Sequence, residues 1–265
     1  MNVKNLLLLV DPQNDFCDCR GALFVPGADE DARRTARMIS RISSLLDDIV
    51  VTLDCHHVLD VAHPLMWVDA LGNPPPPFTV ITLEDVKAGT WRPVRPEWED
   101  RLCRYLQDLE ALRRYRLTIW PEHCLVGSWG FGIVPCVFDA VTKWEREHKE
   151  TATFLLKGEN PWTEHYSAVK AEVPDPEDPR TGINHSLLER IRAADCVAVA
   201  GEALSHCVAS TIRDLVEPLG GDLSRLVLIR DATSSVPGFE PVGEAFLEEM
   251  APLGLRLESS ERFLA

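Results

Sequence analysis

The sequence has little positive charge, because 27 lysine and arginine residues stand against 42 aspartate and glutamate residues and give a net charge of −15. Nucleic acids and anionic membranes are bound through basic faces, so we expect neither as the main partner. Long apolar runs are also missing, since the longest one near the N-terminus covers only residues 6–10. This run is too short for a membrane span or a signal peptide, and we therefore expect a cytoplasmic protein.

Paired cysteine motifs are not evident either. The eight cysteines are scattered through 265 residues, and free thiols are expected, with a catalytic or metal-binding role open for some of them. The composition is ordinary, with 45% hydrophobic and 26% charged residues, which excludes a disordered or fibrous protein. A chain of this length can bury a core that needs neither disulfides nor metal for its stability.

Short apolar segments alternate with amphipathic helical patterns along the chain. The apolar segments lie at 5–10, 49–53, 153–156, 196–200 and 225–229, and the helical patterns at 29–48, 186–194 and 207–216. Strands that are apolar throughout and alternate with helices are typical of a parallel sheet covered on both faces. The pattern predicts an α/β protein with three α/β/α layers and a central parallel sheet.

One segment interrupts this alternation. Residues 57–115 contain a run of four prolines at 74–77 and three of the seven tryptophans, with a helix predicted at about 97–112. A segment of this size has little core of its own. We therefore predict a single domain over residues 1–265 with a long, lid-like insertion at about 57–115.

Polar residues follow the predicted strands, at the edge where open α/β sheets bind ligands. Asp11, Asp54 and Lys157 each follow a strand, and Cys207 follows a glycine turn and opens a helical pattern. At a helix N-terminus a thiol pKa falls, and backbone N–H groups can hold an oxyanion. Cys207 is therefore either a nucleophile or a small buried helix residue. His206 is expected to point away from the thiol, because adjacent helix residues diverge.

Four motifs, in this order and spacing, resemble those of the isochorismatase-like cysteine hydrolases, and within them the nicotinamidases. They are Asp11-Pro-Gln-Asn-Asp-Phe16, Asp54-Cys-His56, Trp120-Pro-Glu-His-Cys124 and Gly201-Glu-Ala-Leu-Ser-His-Cys207-Val208, together with Lys157-Gly158 and Tyr166-Ser167. The resemblance covers nearly the whole chain. Three features depart from it: Glu202 stands where the family usually has an apolar residue, the segment 57–122 is longer than usual, and the stretch 157–166 is slightly extended.

The resemblance implies a catalytic triad of Asp11, Lys157 and Cys207. By the same resemblance, the backbone N–H groups of Ala203 and Cys207 form the oxyanion hole, and the peptide bond between Glu202 and Ala203 is cis. The side chains that contact the substrate would be Phe16, Trp120 and Tyr166.

The nicotinamidase branch also implies a metal site, formed here by Asp54, His56 and His123. One carboxylate and two imidazoles suit a divalent transition metal, with zinc as the first expectation and iron or manganese as alternatives. His57 and His63 lie nearby in the sequence, and a role for either as a fourth ligand stays open. Without the surrounding motif, His123 would be read as a hydrogen-bonded loop histidine.

The function implied by the resemblance is hydrolysis of a small carboxamide, with nicotinamide giving nicotinate and ammonia through a cysteine thioester. Two alternatives stay open. One is a metal-independent cysteine hydrolase of the same family that acts on another amide or a carbamoyl compound. The other is a binding protein that has kept the fold without catalysis. A homo-oligomer is compatible with each of these.

Overall fold

The computed structural model describes residues 3–265, which form ten strands and eight α-helices. The strands are β1 (Asn5–Val10), β2 (Asp48–Asp54), β3 (Trp67–Val68), β4 (Val80–Ile81), β5 (Arg92–Pro93), β6 (Leu117–Thr118), β7 (Thr153–Lys157), β8 (Cys196–Gly201), β9 (Leu226–Ile229) and β10 (Arg256–Glu258). The helices are α1 (Asn14–Cys17), α2 (Ala28–Ile42), α3 (Leu83–Lys87), α4 (Glu99–Leu112), α5 (Pro135–His148), α6 (His185–Ala193), α7 (Ala209–Leu215) and α8 (Glu240–Met250). Among these residues, no helix is long and apolar enough to cross a membrane.

Six strands form a central parallel sheet in the order β10-β9-β8-β1-β2-β7. Both β1 and β8 are buried along their whole length, as expected for strands covered on both faces. Helices flank this sheet, with α2 packed against α5 and α7 against α8. The predicted α/β fold with a central parallel sheet is therefore confirmed.

Two predicted helices differ from those observed. The helix predicted at 29–48 ends at Ile42 and continues as a 3₁₀ turn, because the chain bends where the amide of Asn5 donates to Leu45 O at 2.9 Å. The helix predicted at 207–216 begins later, since Leu204–Val208 form a π-helical turn before α7. In that turn the N–H groups of His206 and Val208 both donate to Ala203 O, which widens it beyond an α-helical turn.

The segment at about 57–115 contains short elements in place of the regular alternation. Strand β3 pairs with β5, and β4 pairs with β6 outside the segment, both antiparallel. Helix α4 agrees with the predicted helix to within two residues and buries Leu102, Leu106 and Leu109 on one face. The four prolines at 74–77 lie outside any helix or strand.

The ends of the central strands bring the motif residues together. Val10 of β1 is in register with Gly201 of β8, and Asp54 of β2 is in register with Lys157 of β7. Chain order reverses between β1 and β8, and such a switch point is where ligands bind in open α/β sheets. Gly201 is required there, because its φ is 113° and a Cβ would lie 2.0 Å from Val10 O.

Replacing this glycine tests the close contact between the two strand ends. Gly201→Ala should lower the free energy of unfolding by about 3 kcal/mol or more, because the new Cβ meets the backbone of β1. Gly72→Ala is the matched control: its φ is 85°, but nothing lies within 4 Å of a Cβ there. It should cost only about 1 kcal/mol. If urea denaturation gives both variants the same loss of unfolding free energy, the positive φ of Gly201 and not the contact with β1 explains the need for glycine.

Candidate active site

The ammonium group of Lys157 lies at the centre of the site. Its Nζ is 2.8 Å from Asp11 Oδ2, 2.9 Å from Asp54 Oδ1 and 3.5 Å from Cys207 Sγ. All four side chains are buried, and Asp11 is fully inaccessible. The structure thus brings together the three residues of the predicted triad. It adds Asp54, which the sequence analysis assigned only to the metal site, as a second carboxylate on the lysine.

The carboxylate of Asp11 is fixed by Thr52 on the neighbouring strand. The hydroxyl of Thr52 donates to Asp11 Oδ1 at 2.5 Å and accepts from the Asp11 N–H at 3.0 Å. Asp11 has a φ of 46°, a left-handed conformation that costs about 1–2 kcal/mol and is retained where the surroundings hold it. The motifs gave no signal for Thr52, because it lies inside an apolar strand.

Burial and the neighbouring charges together set the protonation of this cluster. Burial would lower the pKa of Lys157, but the carboxylates of Asp11 and Asp54 raise that pKa well above its usual range. Burial also raises the pKa of Asp11, against the opposing effect of Lys157. Lys157 is therefore a fixed cation, and Asp11 is a stronger base than an exposed aspartate.

The prediction of a lowered thiol pKa for Cys207 is wrong. Burial raises the pKa of this thiol well above its usual value, and the lowering effect of Lys157 is opposed by Asp11 and Asp54. Cys207 also lies within the π-helical turn and not at the start of an α-helix. The resting thiol is therefore protonated, and Asp11, which shares the ammonium of Lys157 with it, is the carboxylate placed to take its proton.

The turn that carries Cys207 has the predicted backbone geometry. The peptide bond between Glu202 and Ala203 is cis, as the resemblance implied. The hydrogen bonds that close the turn run from His206 N and Val208 N to Ala203 O. These bonds do not use the N–H groups of Ala203 and Cys207, the two donors expected to form the oxyanion hole.

Aromatic rings form a cluster around His206. Its ring centroid lies 5.2 Å from that of Trp120, 5.2 Å from that of Tyr166 and 4.8 Å from that of Phe239. Its Nδ1 is 2.9 Å from Ser205 Oγ, and burial lowers its pKa to about 3. His206 is therefore a neutral part of an aromatic wall, and the structure gives it no role as a base for Cys207.

Glu164 was missed by the sequence analysis. Its Oε2 accepts the indole N–H of Trp120 at 2.9 Å, and its own N–H donates to the hydroxyl of Tyr105 on α4 at 3.2 Å. Burial raises its pKa to about 7. Glu164 thus fixes the ring plane of Trp120 and connects it to the inserted segment. No motif marks this residue, which lies between Lys157 and Tyr166.

Asp54, His56 and His123 form a group that can hold a metal ion. Asp54 Oδ2 is 3.0 Å from His56 Nε2 and 3.4 Å from His123 Nε2, and the ligand atoms all lie within 4.8 Å of one another. The same carboxylate binds Lys157 through Oδ1, so one side chain joins the metal group to the triad.

The second nitrogen of each imidazole has its own partner. His56 Nδ1 is 3.0 Å from Asp60 Oδ2, and His123 Nδ1 is 2.9 Å from Pro121 O. Such partners hold the proton on Nδ1 and leave Nε2 free to bind a metal. The residues present therefore fit a divalent transition metal, and Asp60 is an orienting residue that the sequence analysis missed.

The two further histidines differ in their placement. His63 is buried, with its Nε2 3.3 Å from His123 Nδ1 and its Nδ1 2.9 Å from His57 O. The side chain of His57 is exposed. His63 thus lies beside the metal group, and His57 contributes its backbone carbonyl to the position of His63.

Comparisons with known proteins agree with this geometry. No family model matches the chain. It is 26% identical over 211 residues to the nicotinamidase of Escherichia coli strain K12, a match that covers 80% of this chain and 76% of that protein. The structure of the yeast nicotinamidase covers 96% of this chain and 98% of its own, with a TM-score of 0.66 and 22% identity.

The predicted resemblance is confirmed. The chain is similar to nicotinamidases in sequence and in fold. A third similar structure is that of the Pyrococcus horikoshii pyrazinamidase in complex with zinc, with a TM-score of 0.57, 20% identity and coverage of 97% of this chain and 99% of that one.

Metal analysis of the purified protein tests the Asp54, His56 and His123 group. The wild type should contain about one equivalent of a divalent transition metal by mass spectrometry of the digested protein. His123→Ala should lose most of it, because only two ligands are left. His185→Ala, which changes an exposed histidine on α6, is the control and should keep the wild-type metal content. Wild-type protein that stays metal-free after incubation with zinc and gel filtration would contradict the assignment.

Proposed function

We propose that the chain is an amidohydrolase that converts nicotinamide to nicotinate and ammonia. The observation that carries the proposal is the buried cluster in which Lys157 contacts Asp11, Asp54 and the thiol of Cys207. A nucleophile, a base beside it and a fixed cation are the groups that covalent amide hydrolysis requires. The similarity to the nicotinamidases of E. coli and yeast supports the choice of substrate.

The reaction begins with transfer of the Cys207 proton to Asp11. The thiolate sulfur then attacks the amide carbon, and the carbonyl oxygen becomes an oxyanion that accepts from the N–H groups of Ala203 and Cys207. Asp11 gives its proton to the amide nitrogen, the carbon–nitrogen bond breaks, and ammonia leaves. Water, deprotonated by Asp11, then attacks the resulting thioester and releases nicotinate and the thiol.

Lys157 stabilises negative charge throughout these steps. It keeps its proton, because two carboxylates raise its pKa. Its position 3.5 Å from Sγ lets it stabilise the thiolate as that charge forms. The same ammonium holds Asp11 where the carboxylate can move a proton between sulfur and nitrogen. The raised thiol pKa of the resting site is consistent with this order, since Cys207 keeps its proton until Asp11 takes it at the start of the reaction.

Phe16, Trp120 and Tyr166 would bind the substrate ring. Trp120 and Tyr166 belong to the wall around His206, and the Phe16 ring lies 5.5 Å from that of His123, next to the metal group. A divalent transition metal held by Asp54, His56 and His123, with zinc favoured over iron or manganese, would supply a Lewis-acid contact for the ring nitrogen. Such a contact would orient the ring, with its amide toward Cys207.

The two alternatives have less support. A catalytically silent binding protein would not need to bury a cation with two carboxylates and a thiol, an arrangement that is costly unless fully paired. A metal-independent relative would not need His56 and His123 oriented by Asp60 and Pro121 O. We also propose that residues 1–265 form one cytoplasmic hydrolase domain, with about 57–115 as a lid-like insertion.

Ammonia release from a panel of amides tests the function. Nicotinamide should be hydrolysed, and benzamide, which has the same shape without the ring nitrogen, should be a much poorer substrate. Cys207→Ala should lose activity by at least about 1,000-fold while the protein stays folded, because the nucleophile is absent. Cys103→Ala, on α4, is the control and should keep full activity. If Cys207→Ala keeps substantial activity, or no amide in the panel is hydrolysed by the wild type, the proposal is wrong.

A further inference from the structure

Glu202 is an acidic residue at a position where its motif usually has an apolar one, and its side chain is 1% exposed. It directly precedes Ala203, the expected oxyanion donor. Its backbone N–H donates to Val10 O at 2.8 Å, next to Asp11. A buried carboxyl group is costly unless it is neutral or has partners, so its surroundings must account for it.

The Glu202 side chain has two neighbours across the turn. Its Oε2 accepts the N–H of Ser234 at 3.1 Å, and Asp31 on α2 is its acidic neighbour. Asp31 also accepts from Ser234 Oγ at 2.5 Å and from Arg34 at 3.0 Å. Glu202 Oε1 finds no donor, which is the expected state of an oxygen that itself carries a proton.

Further bonds join the same two segments. Leu204 N–H donates to Ser234 O at 2.8 Å, and Val236 N–H donates to Ser205 Oγ at 3.1 Å. Residues 202–205, the first part of the oxyanion-binding turn, are therefore fixed to residues 234–236 by three hydrogen bonds. Of these three bonds, only the one from Ser234 N–H is made to Glu202, whose position in the motif is usually occupied by an apolar residue.

We propose that Glu202 is a positioning residue for the oxyanion-binding turn, which as a neutral carboxyl donates to Asp31, accepts from Ser234 N–H and so fixes Ala203. Only the expected effect of Glu202 on catalysis rests on the proposed amidase function. Glu202 does not touch the substrate. It acts by keeping the Ala203 N–H in the direction that the oxyanion needs, which matters in the transition state more than in the substrate complex.

The charges around Glu202 explain why it is neutral. Asp31 and Arg34 on α2 form an ion pair. Asp31, the acidic neighbour of Glu202, is therefore ionised, and the charge of Arg34 is already balanced by it. Cys17 on α1 is an uncharged thiol, since burial raises its pKa well above the usual value. Burial and Asp31 together raise the pKa of Glu202 well above its usual value. Two adjacent buried carboxyls do not both ionise, and one proton is retained between them.

Two substitutions separate hydrogen bonding from apolar packing. Glu202→Gln keeps both bonds, because its amide can donate to Asp31 and its oxygen can accept from Ser234. Glu202→Leu restores the usual residue type but leaves the Ser234 N–H without a partner and removes one proposed donor to Asp31. Asp29→Asn is the control, since it removes one negative charge from the exposed face of the same helix.

In kinetics with nicotinamide, Glu202→Gln and Asp29→Asn should keep kcat within about twofold of the wild type. Glu202→Leu should lower kcat by about tenfold or more with KM changed by less than about twofold, as expected for a lost transition-state contact. If Glu202→Leu does not fold, Glu202→Met takes its place. Unchanged kcat in the apolar variant, or equal losses in the Gln and apolar variants, would overturn the proposal.

Thermal unfolding tests the retained proton without any activity. The folded wild type holds a proton on Glu202 that the unfolded chain releases above its ordinary pKa of 4.5, so wild-type stability falls as pH rises above that value. The stability of Glu202→Gln does not fall in this way, because a glutamine amide does not ionise. Its Tm should therefore exceed that of the wild type by a margin that grows by about 3 °C or more between pH 5 and pH 8.

The kinetic measurement and the pH dependence of Tm can each contradict a different proposal. Asp29→Asn should show no such widening of the Tm difference with pH, and a flat difference for Glu202→Gln would overturn the proposal. A wild type that hydrolyses no amide but shows the widening would refute the proposed function and leave Glu202 as a neutral, hydrogen-bonded anchor of this turn. A wild type that is active and lacks the widening would refute the inference and leave the function standing.

Discussion

The structure depends on the burial of one positive charge, the ammonium of Lys157, between two carboxylates. A lone buried ammonium would lose its proton, and two lone buried carboxylates would gain one, so each group keeps its charge only because the others are present. The cluster carries one positive and two negative charges. The excess negative charge faces His56 and His123, where a divalent cation would balance it.

This constraint explains how the parts of the site depend on one another. Asp54 contributes one oxygen to Lys157 and the other to the histidines, so the triad and the metal group share a side chain. Asp11 is oriented by Thr52 and by Lys157, and the same ammonium contacts the thiol of Cys207. The close register of Val10 with Gly201, and of Asp54 with Lys157, sets these distances through the backbone of the sheet.

Much of this arrangement could be predicted from the sequence. Short apolar segments predicted β1, β2, β7, β8 and β9, because wholly apolar segments that alternate with helical patterns are typical of buried parallel strands. The motifs identified Asp11, Lys157 and Cys207, since Asp11 and Lys157 lie at strand ends and Cys207 lies in the turn after β8, all at the binding edge. The cis peptide at residue 202 and the metal group followed from the resemblance, and both are present.

Other features could not be predicted, because they depend on groups far apart in the chain. The partnership of Glu164 with Trp120 spans 44 residues, and that of Glu202 with Ser234 spans 32. The protonation of Cys207 was predicted with the wrong sign, since a local helix-terminus argument omits burial and the carboxylates of distant strands. Thr52 gave no signal, because a threonine inside an apolar strand is ordinary for a sheet.

The central claim is that Asp11 and Lys157 act on the Cys207 proton as one unit, and a double-mutant cycle on nicotinamide hydrolysis tests it most directly. Asp11→Asn and Lys157→Met should each lower kcat/KM by about 100-fold or more, and the double variant should be within about threefold of the poorer single variant. Circular dichroism of all three variants confirms that the fold is retained. A double variant whose loss equals the product of the two single losses would show that the residues act separately and would contradict the account.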